Sequence, residues 1–259
     1  MELCLLSYLN RAQLKTDPFP HFIVENVLPE TIYSRLDSSF PESLMLSDSS
    51  DIVNDRGHTK RLLQRSFDKL EGIDDIWHSF SKVNTGIDFF NAVVNFFLAS
   101  SIDSLYPSLR KQIVNLDVVH RTGKDVHDSG KLLTDFQLVL NKPVNDSFTS
   151  RSAHLDNPQQ LFALLYYMRK PDDFSVGGGL SLYSPTDSVF GQQHGRNRSI
   201  DEKFLRPRCI LPYSSNTLIL FLNTRASYHS VQPIYRQNVV RRSVNIIGEL
   251  PPGSRLFKI

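Results

Sequence analysis

Cysteine, tryptophan and glutamate are scarce in this sequence, and long apolar runs are absent. Only 2 of the 259 residues are cysteine, Cys4 and Cys209. Two thiols so far apart in sequence form neither a zinc cluster nor the disulfide framework of a small secreted scaffold. No apolar run approaches the roughly 20 residues that span a bilayer, so no membrane association is expected. The opening Met1–Leu6 carries no basic stretch of a secretory signal, and the expected setting is cytoplasmic. An excess of charge of one sign is also lacking. Lys plus Arg number 29 and Asp plus Glu 27, a net charge of +2, which gives no reason to expect nucleic acid as a partner. Glutamate is the rarer acid by far, 7 against 20 aspartates. Aspartate favours turns and caps, glutamate helix interiors, so the imbalance points to strands and loops more than to a helical bundle.

The chain is well supplied with core-forming residues. Hydrophobic residues make up 40% and aromatic residues 10%, enough to bury a substantial core and to exclude disorder over most of the length. The texture changes near residue 130. Before it, helical spacing dominates. Pro29 stands at a first helical position, and Leu28, Ile32, Leu36 and Phe40 recur every four residues. Leu62, Leu63, Phe67 and Leu70 suggest a second short helix. Residues 88–101 read as a well-buried helix with a narrow polar stripe at Asn91 and Asn95.

After residue 130 the pattern is of short strands between turn residues. They are expected at 134–141, 150–156, 161–168, 179–183, 209–213, 217–222, 229–232 and 241–248. Phe136, Leu138 and Leu140 alternate with their neighbours at a period of two. This fits a two-sheet jelly roll or barrel, and the absence of alternating helices disfavours a doubly wound parallel sheet. Residues 190–208 are the expected long loop. Across 194–208, Arg196, Arg198, Lys203, Arg206 and Arg208 outnumber Asp201 and Glu202. Folded as a lid over the barrel mouth, such a loop would attract an anionic substrate; otherwise it is a solvated loop.

The chemistry-bearing candidates begin with His154-Leu155-Asp156. Residues i and i+2 of a strand share a face, so an imidazole and a carboxylate can reach one ion. In a chain with 8 histidines and 20 aspartates, roughly 0.6 such pairs are expected by chance, so the pair alone is weak evidence. His229, directly after an apolar run and a short turn, adds weight. Two histidines and one carboxylate on facing strands occupy one face of an octahedral ion and leave the other positions open, as non-haem iron requires. The other six histidines form no equivalent set and read as surface or satisfied core residues. Next comes Arg241-Arg242-Ser243. On a strand, Arg241, Ser243 and Asn245 share a face, and a guanidinium fork with a hydroxyl beside it suits a carboxylate. Arg242 on the opposite face is expected to meet solvent. Gly177-Gly178-Gly179 either bends an edge strand or lets backbone approach the pocket; the structural reading is favoured. Gln137, Asn141 and Arg151 lie on or near strands leading to the His-x-Asp pair and are candidates to contact substrate.

These segments, in this order, resemble the 2-oxoglutarate/Fe(II)-dependent dioxygenases, most of all their prolyl-hydroxylase-like branch. The resemblance rests on His154-x-Asp156, Gly177-Gly178-Gly179-Leu180, Asn216–Phe221, His229-x-Val231-x-Pro233 and Arg241-x-Ser243, with a looser likeness at 18–40. It implies an α+β chain with a mainly β core: a double-stranded β-helix (jelly roll) at about 131–250, with N-terminal supporting helices at about 1–130, forming a single catalytic domain over 1–259. It implies Fe(II) held by His154, Asp156 and His229, with O2 as oxidant and ascorbate as a supporting reductant. It implies that Arg241, helped by Ser243 and Tyr167, binds the distal carboxylate of 2-oxoglutarate, with Arg242 as the alternative anchor. The expected reaction is hydroxylation of a C–H bond of a small metabolite or peptidyl residue, because Asp156 fills the place that related halogenases leave to chloride. Two competing readings are a cupin-like metal enzyme without 2-oxoglutarate and a non-catalytic binding module on the same scaffold.

Overall fold

The period-two segments form hydrogen-bonded ladders, and most of the architecture follows from them. The computed structural model describes residues 2–10, 13–47, 49–55, 58–97, 117–120, 131–143, 151–192, 194–195, 198–251 and 253–257. In chain order the strands are β1 (His21–Val24), β2 (Ile52–Asp55), β3 (Thr59–Leu63), β4 (Val118–His120), β5 (Leu132–Asn141), β6 (Gln160–Tyr167) and β7 (Val176–Gly177). They continue with β8 (Leu180–Pro185), β9 (Leu205–Leu211), β10 (Thr217–Leu222), β11 (His229–Val231), β12 (Ile234–Tyr235) and β13 (Arg241–Glu249). The helices are α1 (Glu30–Ser38), α2 (Glu42–Leu46), α3 (Asp75–Val83) and α4 (Ile87–Phe97).

The large sheet runs β1-β10-β6-β13-β5-β3-β2, with β4 pairing parallel to β5. A smaller sheet, β11-β8-β9, faces it, and β7 pairs with β12 beside them. Alternation then divides the large sheet into two faces. Phe22, Phe136, Leu138, Tyr166, Leu220 and Val244 bury against the helices. There Trp77 and Phe80 of α3 and Phe89, Phe90 and Phe97 of α4 complete an aromatic-rich core. The rings meet edge to face, as at Phe22–Phe97 (5.6 Å) and Phe80–Phe136 (6.0 Å), the arrangement their quadrupoles favour. The opposite face carries Ala163, Tyr167, Ile219 and Phe221, which pack against Leu180 and Leu182 of β8 and Leu211 of β9. The space between the two sheets on this side is where the site lies.

Local signals set several boundaries. Asp74 precedes α3, and its carboxylate accepts from the Ile76 amide at 2.9 Å, satisfying a donor that the first helical turn leaves unpaired. In α4 the polar stripe is real: Asn91 and Asn95 are exposed, while Phe89, Phe90, Val93, Val94 and Phe97 are buried. The remainder of the segment expected as that helix, 98–101, lies outside the described residues. Asn216 closes the turn before β10 at a positive φ of 44°. Its amide bonds both the N–H and the C=O of Leu28, and its oxygen accepts from the Tyr166 hydroxyl.

The structure corrects four expectations. Leu62 and Leu63 are not helical. They end β3, and a 3₁₀ turn at Gln64–Lys69 follows. The spacing that imitates a helix comes from a strand whose inward leucine is followed at once by a tight turn. The region before residue 130 is therefore not a purely helical support, because β1, β2 and β3 extend the large sheet itself. Residues 151–156 form no strand; within them only His154 makes ladder contacts, as an isolated bridge. Position 150 lies outside the described residues. Finally, the expected 190–208 loop is shorter, since a 3₁₀ turn at Glu202–Phe204 leads into β9, which starts at Leu205. No helix among the described residues is long and apolar enough to cross a membrane.

Candidate metal centre and adjoining pocket

His154, Asp156 and His229 converge. Each presents a ligand-type atom, and these atoms lie within 4.8 Å of one another. His154 Nε2 stands 3.6 Å from one Asp156 carboxylate oxygen, and His229 Nε2 stands 3.8 Å from the other. The backbone explains the convergence. His154 and His229 pair directly, N–H to C=O in both directions, at 3.0 and 3.2 Å. Around them the chain alternates. Ala153 and Leu155 turn into a small core with Val189, Ile200 and Tyr228, so His154 and Asp156 turn the other way. A short turn ahead of His229 is fixed by Ser227, whose hydroxyl takes the Thr224 amide at 2.9 Å and donates to Asn223 and the Thr224 carbonyl.

Both imidazoles are oriented by their other nitrogen. Nδ1 of His154 lies 2.7 Å from the Ser152 carbonyl, and Nδ1 of His229 lies 2.9 Å from the Ser227 carbonyl. A carbonyl can only accept, so each Nδ1 carries the proton and each Nε2 offers a lone pair to the centre. Burial favours the neutral rings: it lowers the affinity of His154 for a second proton and pushes that of His229 down to about 3. For Asp156, burial works against the carboxylate. The histidines and Arg151 outweigh it and hold the group ionised, below the ordinary carboxylate range. His154 Nε2 is buried with no hydrogen-bond partner among the described residues. An orphaned buried lone pair costs about 1–3 kcal/mol, and a cation between the three side chains would remove that cost. Two neutral imidazoles and a carboxylate are a donor set suited to divalent iron.

A pocket opens from this centre along the inner face of the large sheet. The strand register places Arg241, Ser243 and Asn245 of β13 on its wall, beside Tyr167 of β6 and Asn141 of β5. Arg241 is 5% exposed. Its guanidinium stacks 3.7 Å from the Tyr213 ring centroid and donates through Nη2 to the Gly178 carbonyl at 2.7 Å. Its Nη1 is buried with no hydrogen-bond partner among the described residues. Burial lowers the Arg241 pKa, but an arginine starts too high for that to remove its charge. Burial also pushes the Tyr167 phenol up to about 12, so Tyr167 stays protonated and able to donate.

The remaining candidates sort by position. Arg242 does not meet solvent. It is 5% exposed and pairs with Asp37 of α1, donating to both its carboxylate and its backbone carbonyl. The expectation failed because the partner lies 205 residues away in sequence. Asn141 lines the pocket and donates to Thr59 at 2.7 Å. Gln137 lies farther out, in an adjoining cleft, where it bonds Arg61 and Asp135. Arg151 lines both spaces, 3.7 Å from Asp156. The glycines divide between the two expected roles, Gly177 serving the short β7–β12 strand pair and Gly178 the approach to Arg241. Gly177 and Gly178 have φ of +83° and +71°, and a methyl group on Gly178 would collide with the Arg241 guanidinium. Gly178 thus permits backbone approach to the Arg241 wall of the pocket, whereas a methyl group on Gly177 would meet the Pro233 carbonyl. Of the basic residues in the expected lid, Arg206 and Arg208 lie on β9, where Arg208 pairs with Asp17, and Lys203 pairs with Asp201. Arg196 is outside the described residues. Neither Tyr213 nor Arg61 carried a sequence signal of a site: Tyr213 ends the segment expected as the 209–213 strand and lies just after β9, and Arg61 directly precedes the leucines that imitate a helix.

Neither a known family pattern nor any curated protein sequence matches the chain. Solved structures do match it. A prolyl 4-hydroxylase from Phytophthora capsici superposes with a TM-score of 0.53 at 14% identity, over 95% of this chain and 64% of its own. A protein from Shewanella oneidensis assigned as an oxygenase gives 0.52 at 10% identity, over 92% and 84%. The chain thus spans about two-thirds of the first of these proteins. Across such low identity the shared property is the fold: a double-stranded β-helix with flanking helices, as expected from the sequence.

Proposed function

We propose that this chain is an Fe(II)- and 2-oxoglutarate-dependent oxygenase acting as one catalytic unit. The observation that carries the reading is a pair of buried, unsatisfied groups facing one pocket: the Nε2 lone pair of His154 at one end and Nη1 of Arg241 at the other. The first asks for a cation and the second for an anion. His154, Asp156 and His229 would hold Fe(II). Arg241 would donate to the distal carboxylate of 2-oxoglutarate, with the Tyr167 phenol and Ser243 hydroxyl on the same wall as further donors. Iron so held supplies dioxygen activation coupled to decarboxylation of 2-oxoglutarate to succinate and CO2, with one oxygen atom delivered to a substrate C–H bond.

The protein's own contribution is placement. Ser152 and Ser227 carbonyls fix the two imidazole tautomers. Tyr213 and Gly178 fix the plane of the Arg241 guanidinium. Leu165, Leu180 and Val231 line the pocket with apolar surface, which strengthens the charge pairing within it. A cupin-like enzyme or a binding module has no need of a buried arginine at that wall, and this favours the proposed reading over both. The substrate is a small metabolite or a peptidyl residue. The test is succinate release from 2-oxoglutarate by purified protein supplied with Fe(II) and ascorbate under air. Release is expected, and His154→Ala should abolish it. Equal release by His154→Ala would reject the triad.

A further inference from the structure

The cleft beside the co-substrate pocket borders the metal centre. Asp156 and His229 line it, while Arg241, Ser243 and Tyr167 do not. Its volume is about 510 Å³, within the range of small-molecule sites. Arg65 and Arg198 line it as well. We propose that Arg65 and Arg198 bind an anionic substrate, a carboxylate or a phosphate, in this cleft. This deepens the function proposed above and rests on it for the reaction performed there.

Arg198 is fastened to the segment that carries two of the proposed metal ligands. Its carbonyl accepts from the Leu155 amide at 3.3 Å, and its Nε donates to the Leu155 carbonyl at 3.1 Å. Ser199 bridges to His154, and the Ile200 amide donates to the Ala153 carbonyl. These bonds seat Arg198 against the residue that precedes Asp156. Its backbone has a φ of +61°, which costs a residue with a side chain about 1–2 kcal/mol. The Arg198 amide donates to the Gly195 carbonyl, and the Gly195 amide to the Ser199 carbonyl. Glycine or asparagine fills such a place at less cost. An arginine in a strained conformation beside a reactive centre points to a use for its side chain.

Charge gives the second argument. Arg61, Arg151, Asp135 and Glu249 also line the cleft, and each is engaged in interactions of its own. Arg65 and Arg198 differ. Among the described residues neither forms an ion pair, and their one side-chain hydrogen bond is that of Arg198 Nε. Both are half-buried. With Nε held by Leu155, the two terminal nitrogens of Arg198 are left to face a ligand. Arg65 sits in the 3₁₀ turn after β3, so the two cations reach the cleft from separate elements. Guanidinium forks match both carboxylate and phosphate. Leu63, Phe221 and Ile247 line the same space, and apolar walls strengthen charge pairing within it.

The experiment uses the full, metal-free chain and three probes that carry a methyl group: acetate, methyl phosphate and neutral acetamide. Magnetisation transferred from the protein to the methyl protons reports binding. The series is run in the wild type and in Arg241→Met, which removes the charge of the co-substrate clamp. In both, acetate, methyl phosphate or both should bind and acetamide should not, with the preferred anion naming the source chemistry. In the Arg241→Met protein, Arg65→Gln and Arg198→Gln should each raise the dissociation constant about tenfold, while Arg65→Lys and Arg198→Lys retain most of the affinity. Acetamide bound like the anions, anion binding lost in Arg241→Met alone, or anion binding unchanged in either glutamine variant would overturn the proposal. Succinate release by the wild type is scored separately. Its absence with the anion signal intact would reject the oxygenase reading and leave the anion site standing.

Discussion

At the scale of the residue, two adjacent arginines show what a sequence can and cannot reveal. Arg241 and Ser243 were legible because strand alternation alone assigns them one face, whatever they meet there. Arg242 was not, because its partner Asp37 belongs to a helix at the other end of the chain. Their substitutions should behave differently. Arg241→Ala should weaken 2-oxoglutarate binding about tenfold or more while leaving metal affinity unchanged, as measured by calorimetric titration. Arg242→Ala should instead lower folding stability by roughly 2 kcal/mol, through loss of charged hydrogen bonds, with little change in 2-oxoglutarate affinity. The reverse outcome would exchange the two roles. His154, Asp156 and His229 were also legible, through spacing and order. Arg61 was missed because its neighbours imitate a helix.

At the scale of the element, strands were legible where they alternate and pair on both sides. β10 falls where expected, and β5, β6 and β13 differ by a residue or two. The β2–β3 hairpin escaped because Leu62, Leu63, Phe67 and Leu70 join a strand end to a 3₁₀ turn at helix-like intervals. The His154 segment behaves as a strand in its side-chain alternation and not in its hydrogen bonds, since isolated bridges from His154 to His229 and to Ser199 replace a ladder. The Gly177–Gly179 segment carries an element-scale prediction. Gly178→Ala forces a side chain onto a φ of +71° and into Arg241. The protein should remain folded at a cost of about 1–2 kcal/mol, with 2-oxoglutarate affinity reduced as far as in Arg241→Ala. Unchanged affinity in a folded Gly178→Ala protein would show that the guanidinium is not positioned by this backbone.

At the scale of the whole molecule, the large sheet joins the two halves that the sequence seemed to separate. Its helix-facing side takes α3 and α4, and its other side takes the smaller sheet and the proposed centre. A cation bridging His154, Asp156 and His229 would tie β11 to the segment before β6, so binding should stabilise the entire fold. With Ni(II) or Zn(II) at a hundred times its dissociation constant, the gain is about 2.7 kcal/mol. That corresponds to a rise in melting temperature of roughly 5–10 °C, which EDTA should reverse and His154→Ala should lack. The central claim remains the joint binding of Fe(II) and 2-oxoglutarate in one pocket, and anaerobic absorption spectroscopy tests it most directly. Fe(II) and 2-oxoglutarate added together to the metal-free wild type should give a weak visible charge-transfer band that neither gives alone and that Arg241→Ala shifts to higher 2-oxoglutarate concentration. A folded wild-type protein that shows no such band at saturating Fe(II) and 2-oxoglutarate would contradict the account.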